Sequence, residues 1–214
     1  MITGGHGSLA RALSDHLALV EPEWNVICPS RQEMDVSSLS SVRSFMENHS
    51  CRLLVAAAGE IDDQPLLKVT SNSWDRLLHG NLRGAAFAAK MASRTMLRER
   101  EGHVIFIGSY SGFHPPSGQV AYASAKAALS GLTKSLAREW GPVGIRVNLI
   151  LPGFLENRMT DHVSKSRKDE VLEQHCLRQY NTENSVAKFV HFLHKHMTYT
   201  SGQIFNLDSR ILAD

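Results

Sequence analysis

Short apolar runs without period-2 alternation, each followed by a helix-patterned segment, constrain this chain more than any other feature. The runs are "MIT", "WNVIC", "RLLVAAA", "HVIFIG", "IRVNLIL" and "GQIFNLD". Between them lie "SLARALSDHLALV", "SLSSVRSFMENH", a long pattern from "SNSWDRLL" to "TMLRER", "YASAKAALSGLTKSLAREWG", a polar helical segment near 158–177 and "ENSVAKFVHFLHKH". A strand covered by helices on both faces has no polar side, so it becomes a continuous apolar run, and strands alternating with helices build a parallel sheet. The expectation is a single α/β domain over 1–214 with a doubly wound parallel sheet of six to seven strands. The stretch from Arg31 to Asp35 has no room for a second helix and a full third strand, so that half of the sheet should be shortened. A (β/α)₈ barrel lacks both the strands and the length.

Ligands of such sheets bind beyond the carboxyl ends of the strands. The first strand-to-helix turn, "TGGHGSLA", holds Gly5, Gly7 and Ala10 at G-x-G-x-x-G/A spacing. Its glycines permit a tight turn and let backbone N–H groups approach a pyrophosphate at the helix N-terminus. The turn residues Gly4, Gly5, Gly7, Ser8 and Leu9 are therefore assigned to a dinucleotide, although a plain glycine turn would give the same pattern. The second strand ends in Ser30 and Arg31, and no Asp or Glu occupies 26–32 to accept the 2′-OH of NAD. A guanidinium pairs well with a phosphate, which favours NADP(H). A solvated surface arginine is the alternative. Asp35 and Val36 stand where an acceptor could meet an adenine amino group, and Asp35 also suits a turn or cap.

Tyr122 and Lys126 are four residues apart on one helical pattern and so share a face. A free tyrosine has a pKa of about 10, and lowering it by about three units takes about 4 kcal/mol of phenolate stabilisation, of a kind a neighbouring ammonium provides. The pair can then act as a general acid. Ser109, just past "HVIFIG", places a hydroxyl at the sheet edge where it can hydrogen-bond a substrate carbonyl.

Over nearly its whole length the chain resembles the short-chain dehydrogenase/reductase family. The residues that carry this are "TGGHGSLA", "DV" at 35–36, "AAAG" at 56–59, "NLRG" at 81–84, "IGSYSG" at 107–112, "YASAK" at 122–126 and "LPGF" at 151–154. The C-terminal two thirds are most similar to 3-oxoacyl-[acyl carrier protein] reductases and related ketoreductases. The resemblance implies a Rossmann fold and NADP(H)-dependent reduction of a carbonyl, or the reverse oxidation. It implies Ser109 orienting the carbonyl, Tyr122 moving the proton, Lys126 lowering the tyrosine pKa and holding the nicotinamide ribose, and Asn81 positioning a water chain behind Lys126. It adds Ala57, Ala58 and Gly59, and Pro152, Gly153 and Phe154 beside the nicotinamide, as cofactor contacts. A substrate lid is expected at about 154–180, the substrate being a small carbonyl or alcohol, free or carrier-bound. Relatives pair through the helices at roughly 70–99 and 120–140, so a homodimer or homotetramer is expected. The chain departs from the family pattern in "AAAG" for NNAG, in "NLDSR" where DGG is common, and at Val143, where a basic residue is frequent. A non-catalytic NADP-binding regulator or scaffold on the same fold is the competing reading.

Composition excludes other classes. Lys+Arg 23 against Asp+Glu 21 gives a net charge of +2, without the basic excess of a nucleic-acid or membrane binder. The three cysteines, Cys28, Cys51 and Cys176, are odd in number and lack metal-ligand spacing, which points to a reducing cytoplasm and no metal. No signal-peptide pattern or long apolar span is present. "HFLHKH" is expected to be a solvated helix end, "SKSRKDE" an exposed face of the lid, and His114 a residue able to touch substrate.

Overall fold

The structure, a computed structural model, describes residues 1–212; residues 213–214 of the expected domain lie outside the described residues. The four strands β1 (Leu53–Ala56), β2 (Gly102–Ile107), β3 (Ile145–Leu151) and β4 (Ile204–Asn206) form a parallel sheet in the order β1-β2-β3-β4. Every residue of β1 and β2 is buried, as the unbroken apolar runs require when both faces are covered.

Two further extended segments continue the sheet beyond β1. Met1–Thr3 lies beside β1, with Val55 N donating to the Met1 carbonyl (2.9 Å) and Thr3 N to the Val55 carbonyl (3.0 Å). On its other side Ile2 N reaches the Ile27 carbonyl (2.8 Å) and Gly5 N the Pro29 carbonyl (3.0 Å). "MIT" is too short to make more than an isolated bridge to Val55, so the runs at 1–3 and 24–28 bond to the sheet without forming full strands.

The helices lie in two layers. α1 (Ser8–Val20) buries Ala10, Leu13 and Leu17, and α7 (Glu183–Lys195) buries Val186, Ala187, Val190 and Leu193; both cover one sheet face. α2 (Leu39–Glu47), α4 (Gly84–Glu99) and α5 (Val120–Trp140) contribute to the core on the other. From 31 to 38 the chain makes turns only, and α2 then starts at the Ser38 cap, so the adenine half is shortened as its sequence required. The long helical pattern at 71–100 is interrupted: α3 (Ser71–Leu78) passes into a π-helical turn at His79–Arg83 before α4 begins. Apolar periodicity cannot separate one wide turn from the helix around it, so the sequence shows a single helix there. Between 154 and 180 only α6 (Lys165–Gln174) is an α-helix, started by the Ser164 side chain, which accepts from Arg167 N.

Candidate active site

Three loops leave the carboxyl ends of the strands together: 57–59 after β1, 108–112 after β2 and 152–154 after β3. The glycine turn sits beside the first. Gly4 has φ +84°, and a Cβ there would come within 2.9 Å of Ala58 Cα; at Gly5 it would come within 2.4 Å of the Cys28 carbonyl oxygen. These glycines are thus needed for backbone to pack on backbone. Thr3 Oγ1 fixes the junction by accepting from Ala58 N (2.9 Å). Gly7 caps α1 without any side-chain bond, leaving the first N–H groups, those of Ser8 and Leu9 among them, for an anion. A pyrophosphate suits these uncapped N–H groups at the start of α1.

The catalytic candidates come together on α5 and the loop before it. Tyr122 and Lys126 are buried on the same face of α5, with Lys126 Nζ 5.7 Å from the Tyr122 ring centroid. A Cβ on Gly112 would meet the Ala127 nitrogen at 2.9 Å, so the loop carrying Ser109 lies directly on the α5 backbone. Ser109 also caps its own short helical turn by accepting from Ser111 N (3.2 Å). A Cβ on Gly59 would meet Asn81 Oδ1 at 2.7 Å and Lys126 Nζ at 3.5 Å, which brings loop 57–59, the π-helical turn and α5 to one point. Asn81 braces that loop, donating to the Glu60 carbonyl (2.8 Å) and the Leu77 carbonyl (3.0 Å) and accepting from Glu60 N (3.3 Å).

The electrostatics differ from the expectation for Tyr122. Burial pushes its pKa up and the Asp63 carboxylate adds to this, while the facing Ser109 hydroxyl acts downward. Lys126 is not among the groups that shift it. The ammonium is spent on the Ile107 carbonyl (2.9 Å), and burial lowers the Lys126 pKa from 10.5 to about 8. The tyrosine is thereby held as a proton donor, not as a phenolate.

The adenine side is looser. Arg31 is 71% exposed at its side chain and pairs with Asp35 (3.4 Å). Asp35 Oδ1 accepts from Ser37 N (2.9 Å) and Oγ (2.7 Å), so the turn role is the one its side chain plays here. Val36 packs under the start of α4, where a Cβ on Gly84 would meet its carbonyl oxygen at 2.5 Å. Glu33 is an acid that the sequence window at 26–32 missed: it folds back so that Ser30 N donates to its carboxylate (2.8 Å). On the nicotinamide side, Pro152 is tied by Asn181 Nδ2 to its carbonyl (2.8 Å), Gly153 has φ +87°, and Phe154 packs on Tyr180 at 4.8 Å between centroids.

Between the 108–119 loop and the 154–174 segment opens a cavity of about 900 Å³ lined by Tyr110, His114, Phe154, His162, Arg167 and Arg210 among others. Beside it lies a polar cluster whose partners are far apart in sequence. His175, at the end of α6, faces Asp208 Oδ2 at 3.4 Å, and Asp208 also holds Arg210. The unusual "NLDSR" was its one visible signal. The histidines of α7 differ from a solvated helix end: His191 pairs with Glu21 (2.8 Å), and His194 stacks on His103 with its pKa lowered by burial to about 4.

A doubly wound sheet with a glycine turn at its first βα junction and a Tyr–Lys pair at its rim defines a dinucleotide-binding protein of the oxidoreductase type. Residues 11–209 match the family model described as enoyl-(acyl carrier protein) reductase. The chain is 31% identical over 214 residues to the 3-oxoacyl-[acyl-carrier-protein] reductase FabG of Aquifex aeolicus, covering 97% of this chain and 85% of that one. With the enzyme of the same name from Staphylococcus epidermidis it shares 34% identity over 160 residues, 74% of this chain and just under two thirds, 66%, of the relative. The crystal structure of gox2181 superposes with a TM-score of 0.88 at 25% identity, over 97% of this chain and 93% of that one. The chain belongs to the short-chain dehydrogenase/reductase family of nicotinamide-dependent oxidoreductases.

Proposed function

We propose that this protein is an NADP(H)-dependent carbonyl reductase, working as one dinucleotide-binding domain with a lid at about 154–180. The observation that carries the reading is the Ser109–Tyr122–Lys126 arrangement beside Asn81, which a cofactor sensor or scaffold does not need. With its pyrophosphate in the glycine cradle and its nicotinamide beside Pro152 and Gly153, bound NADPH would supply the hydride for the carbonyl carbon. Ser109 hydrogen-bonds the carbonyl oxygen, and Tyr122 delivers a proton to it. Burial keeps Tyr122 protonated through the neutral range, the state that reduction requires. Lys126, anchored on the Ile107 carbonyl, is in place to bond the nicotinamide ribose. The test is a panel of aldehydes, ketones and 3-oxoacyl thioesters scored by loss of NADPH absorbance. Consumption with at least one class is expected; none with any class overturns the reading.

Cofactor choice rests on Arg31 and Glu33. Arg31 is exposed and only loosely paired, so it can turn to a 2′-phosphate, and an exposed guanidinium gives the lower end of the usual range, about tenfold. Glu33 opposes it by charge. Dissociation constants at one ionic strength should show NADPH tighter than NADH, Arg31→Ala weakening NADPH several-fold with NADH unchanged, and Glu33→Gln tightening NADPH. Equal losses for the two cofactors in Arg31→Ala remove Arg31 from the phosphate site.

The molecule is also read as a dimer or tetramer. On α5 the exposed residues Ser124, Ala128 and Gly131 follow one another at helical spacing, and a Cβ on Gly131 would touch nothing within 4 Å. A flat row of small residues suits close helix packing with a second copy. Solution scattering should give at least twice the mass of the chain, and a monodisperse monomer rejects the assembly. The three cysteines are free thiols, in keeping with a cytoplasmic enzyme, and among the described residues no helix is long and apolar enough to cross a membrane.

A further inference from the structure

We propose that the substrate of this site carries a carboxylate and that Arg210 is the residue that selects it; the inference rests on the reductase reading and narrows its substrate class. Arg210 lines the cavity yet is only 8% exposed. Its guanidinium is fixed from two directions. Nε (2.8 Å) and Nη2 (2.5 Å) both donate to one oxygen of Asp208, Oδ2, and the group lies 3.8 Å over the ring of Tyr110. Asp208 is itself immobilised. Its Oδ1 accepts from Arg210 N (3.0 Å), its Oδ2 faces His175 Nε2 (3.4 Å), and its Cβ is packed so closely on Gly153 that a Cβ there would stand 2.6 Å away. His175 Nδ1 is engaged by the Val171 carbonyl (2.7 Å), which locks the ring.

This leaves a directed donor edge. A guanidinium has five N–H groups, and among the described residues Nη1 has no partner. Nη1 is not among the side-chain atoms sealed from solvent, and the Nη1–Nη2 edge is spaced to meet both oxygens of a carboxylate. The lining agrees: Arg167, paired outside the cavity with Glu170 (2.6 Å), also lines it, and among the described residues the one lining acid, Asp63, is occupied by Gln119 Nε2 (3.0 Å) and His162 Nε2 (3.4 Å). Tyr110, which carries Arg210 on its ring, follows Ser109 directly. A carboxylate at Arg210 and a carbonyl at Ser109 therefore describe a short oxo acid. In an acyl thioester the same carboxyl is masked and offers the guanidinium no anion.

The experiment compares acetoacetate with methyl acetoacetate, which share the reacting carbonyl and differ in the anion. Binding is measured by titration calorimetry to the NADP⁺-saturated protein, and turnover by NADPH oxidation. The wild type should bind the acid about ten- to a hundredfold tighter than the ester, the range of one to two charge-assisted hydrogen bonds. That preference should fall to near unity in Arg210→Met. It should also do so in Asp208→Asn/Arg210→Met, which does not strand a buried carboxylate. Equal binding of acid and ester by the wild type, a comparison that needs no variant, overturns the inference, as does an unchanged preference in a folded variant. Arg210-dependent binding of the acid without NADPH oxidation keeps the carboxylate site, and together with an inert substrate panel it rejects the reductase reading. Reduction of both compounds without preference keeps the reductase reading and rejects the role of Arg210.

Discussion

Replacing Tyr122 with phenylalanine should lower kcat by about two to four orders of magnitude, the usual contribution of a positioned general acid, while the cofactor dissociation constant moves by about twofold or less. The ring stays in its buried place on α5, so packing is preserved and only the proton is lost. Burial and Asp63 both raise the Tyr122 pKa, so loss of the tyrosine proton should slow reduction only in strong alkali, and a fall near pH 8 belongs to Lys126, whose pKa is about 8. Oxidation of the alcohol needs the deprotonated tyrosine and should rise with pH through the neutral range. Stopped-flow rates in both directions, with cofactor titrations of the variant, check this. A phenylalanine variant that turns over within tenfold of the wild type removes Tyr122 from the mechanism, and a phenolate-like profile in reduction contradicts the order of effects found around it.

Where chemistry depends on residues close in sequence, the chain was legible. The apolar runs located β1 to β4 and the two segments that extend the sheet, because burial on both faces leaves no polar side to disguise them. "SLARALSDHLALV" coincides with α1 because Ala10, Leu13 and Leu17 fall on one stripe. Tyr122 and Lys126 share a face by helical geometry alone. What was not legible depends on contacts over long separations. Asp208 meets His175 and Arg210 meets Tyr110 only after the lid and the C-terminal segment have folded over the sheet. Glu33 reaches Ser30 through a turn whose shape the 31–38 stretch does not reveal. The effect of Lys126 on Tyr122 was inferred from their spacing. The outcome turned on depth: the ammonium is bonded to the Ile107 carbonyl, and burial of the tyrosine is the largest effect on its pKa.

Lys126→Met should abolish turnover and weaken cofactor binding, yet make the folded protein more stable at pH 7. Lys126 is buried, and its pKa falls from an ordinary 10.5 to about 8 because the charged form is desolvated. For a lysine lowered in this way, the unfolded chain binds more protons than the folded one between about pH 8 and 10.5, so wild-type stability rises across that window. The gain is about 3 kcal/mol. Below pH 8 the folded state carries the whole cost of the buried charge. Methionine has nearly the same length and no charge, so it escapes that cost but gives up the charge-assisted hydrogen bond to the Ile107 carbonyl, worth about 2 kcal/mol. A net stabilisation of about 1 kcal/mol at pH 7 is expected, and it should shrink as pH rises toward 10.5 and the wild-type lysine becomes neutral in both states. Urea unfolding of the two proteins side by side from pH 7 to 10.5 isolates this, because every other titrating group is common to both. A variant less stable than the wild type at pH 7, or a difference that does not vary with pH, shows that the ammonium is compensated in the fold. Loss of function together with a gain in stability marks a residue retained for its chemistry against the cost of burying its charge.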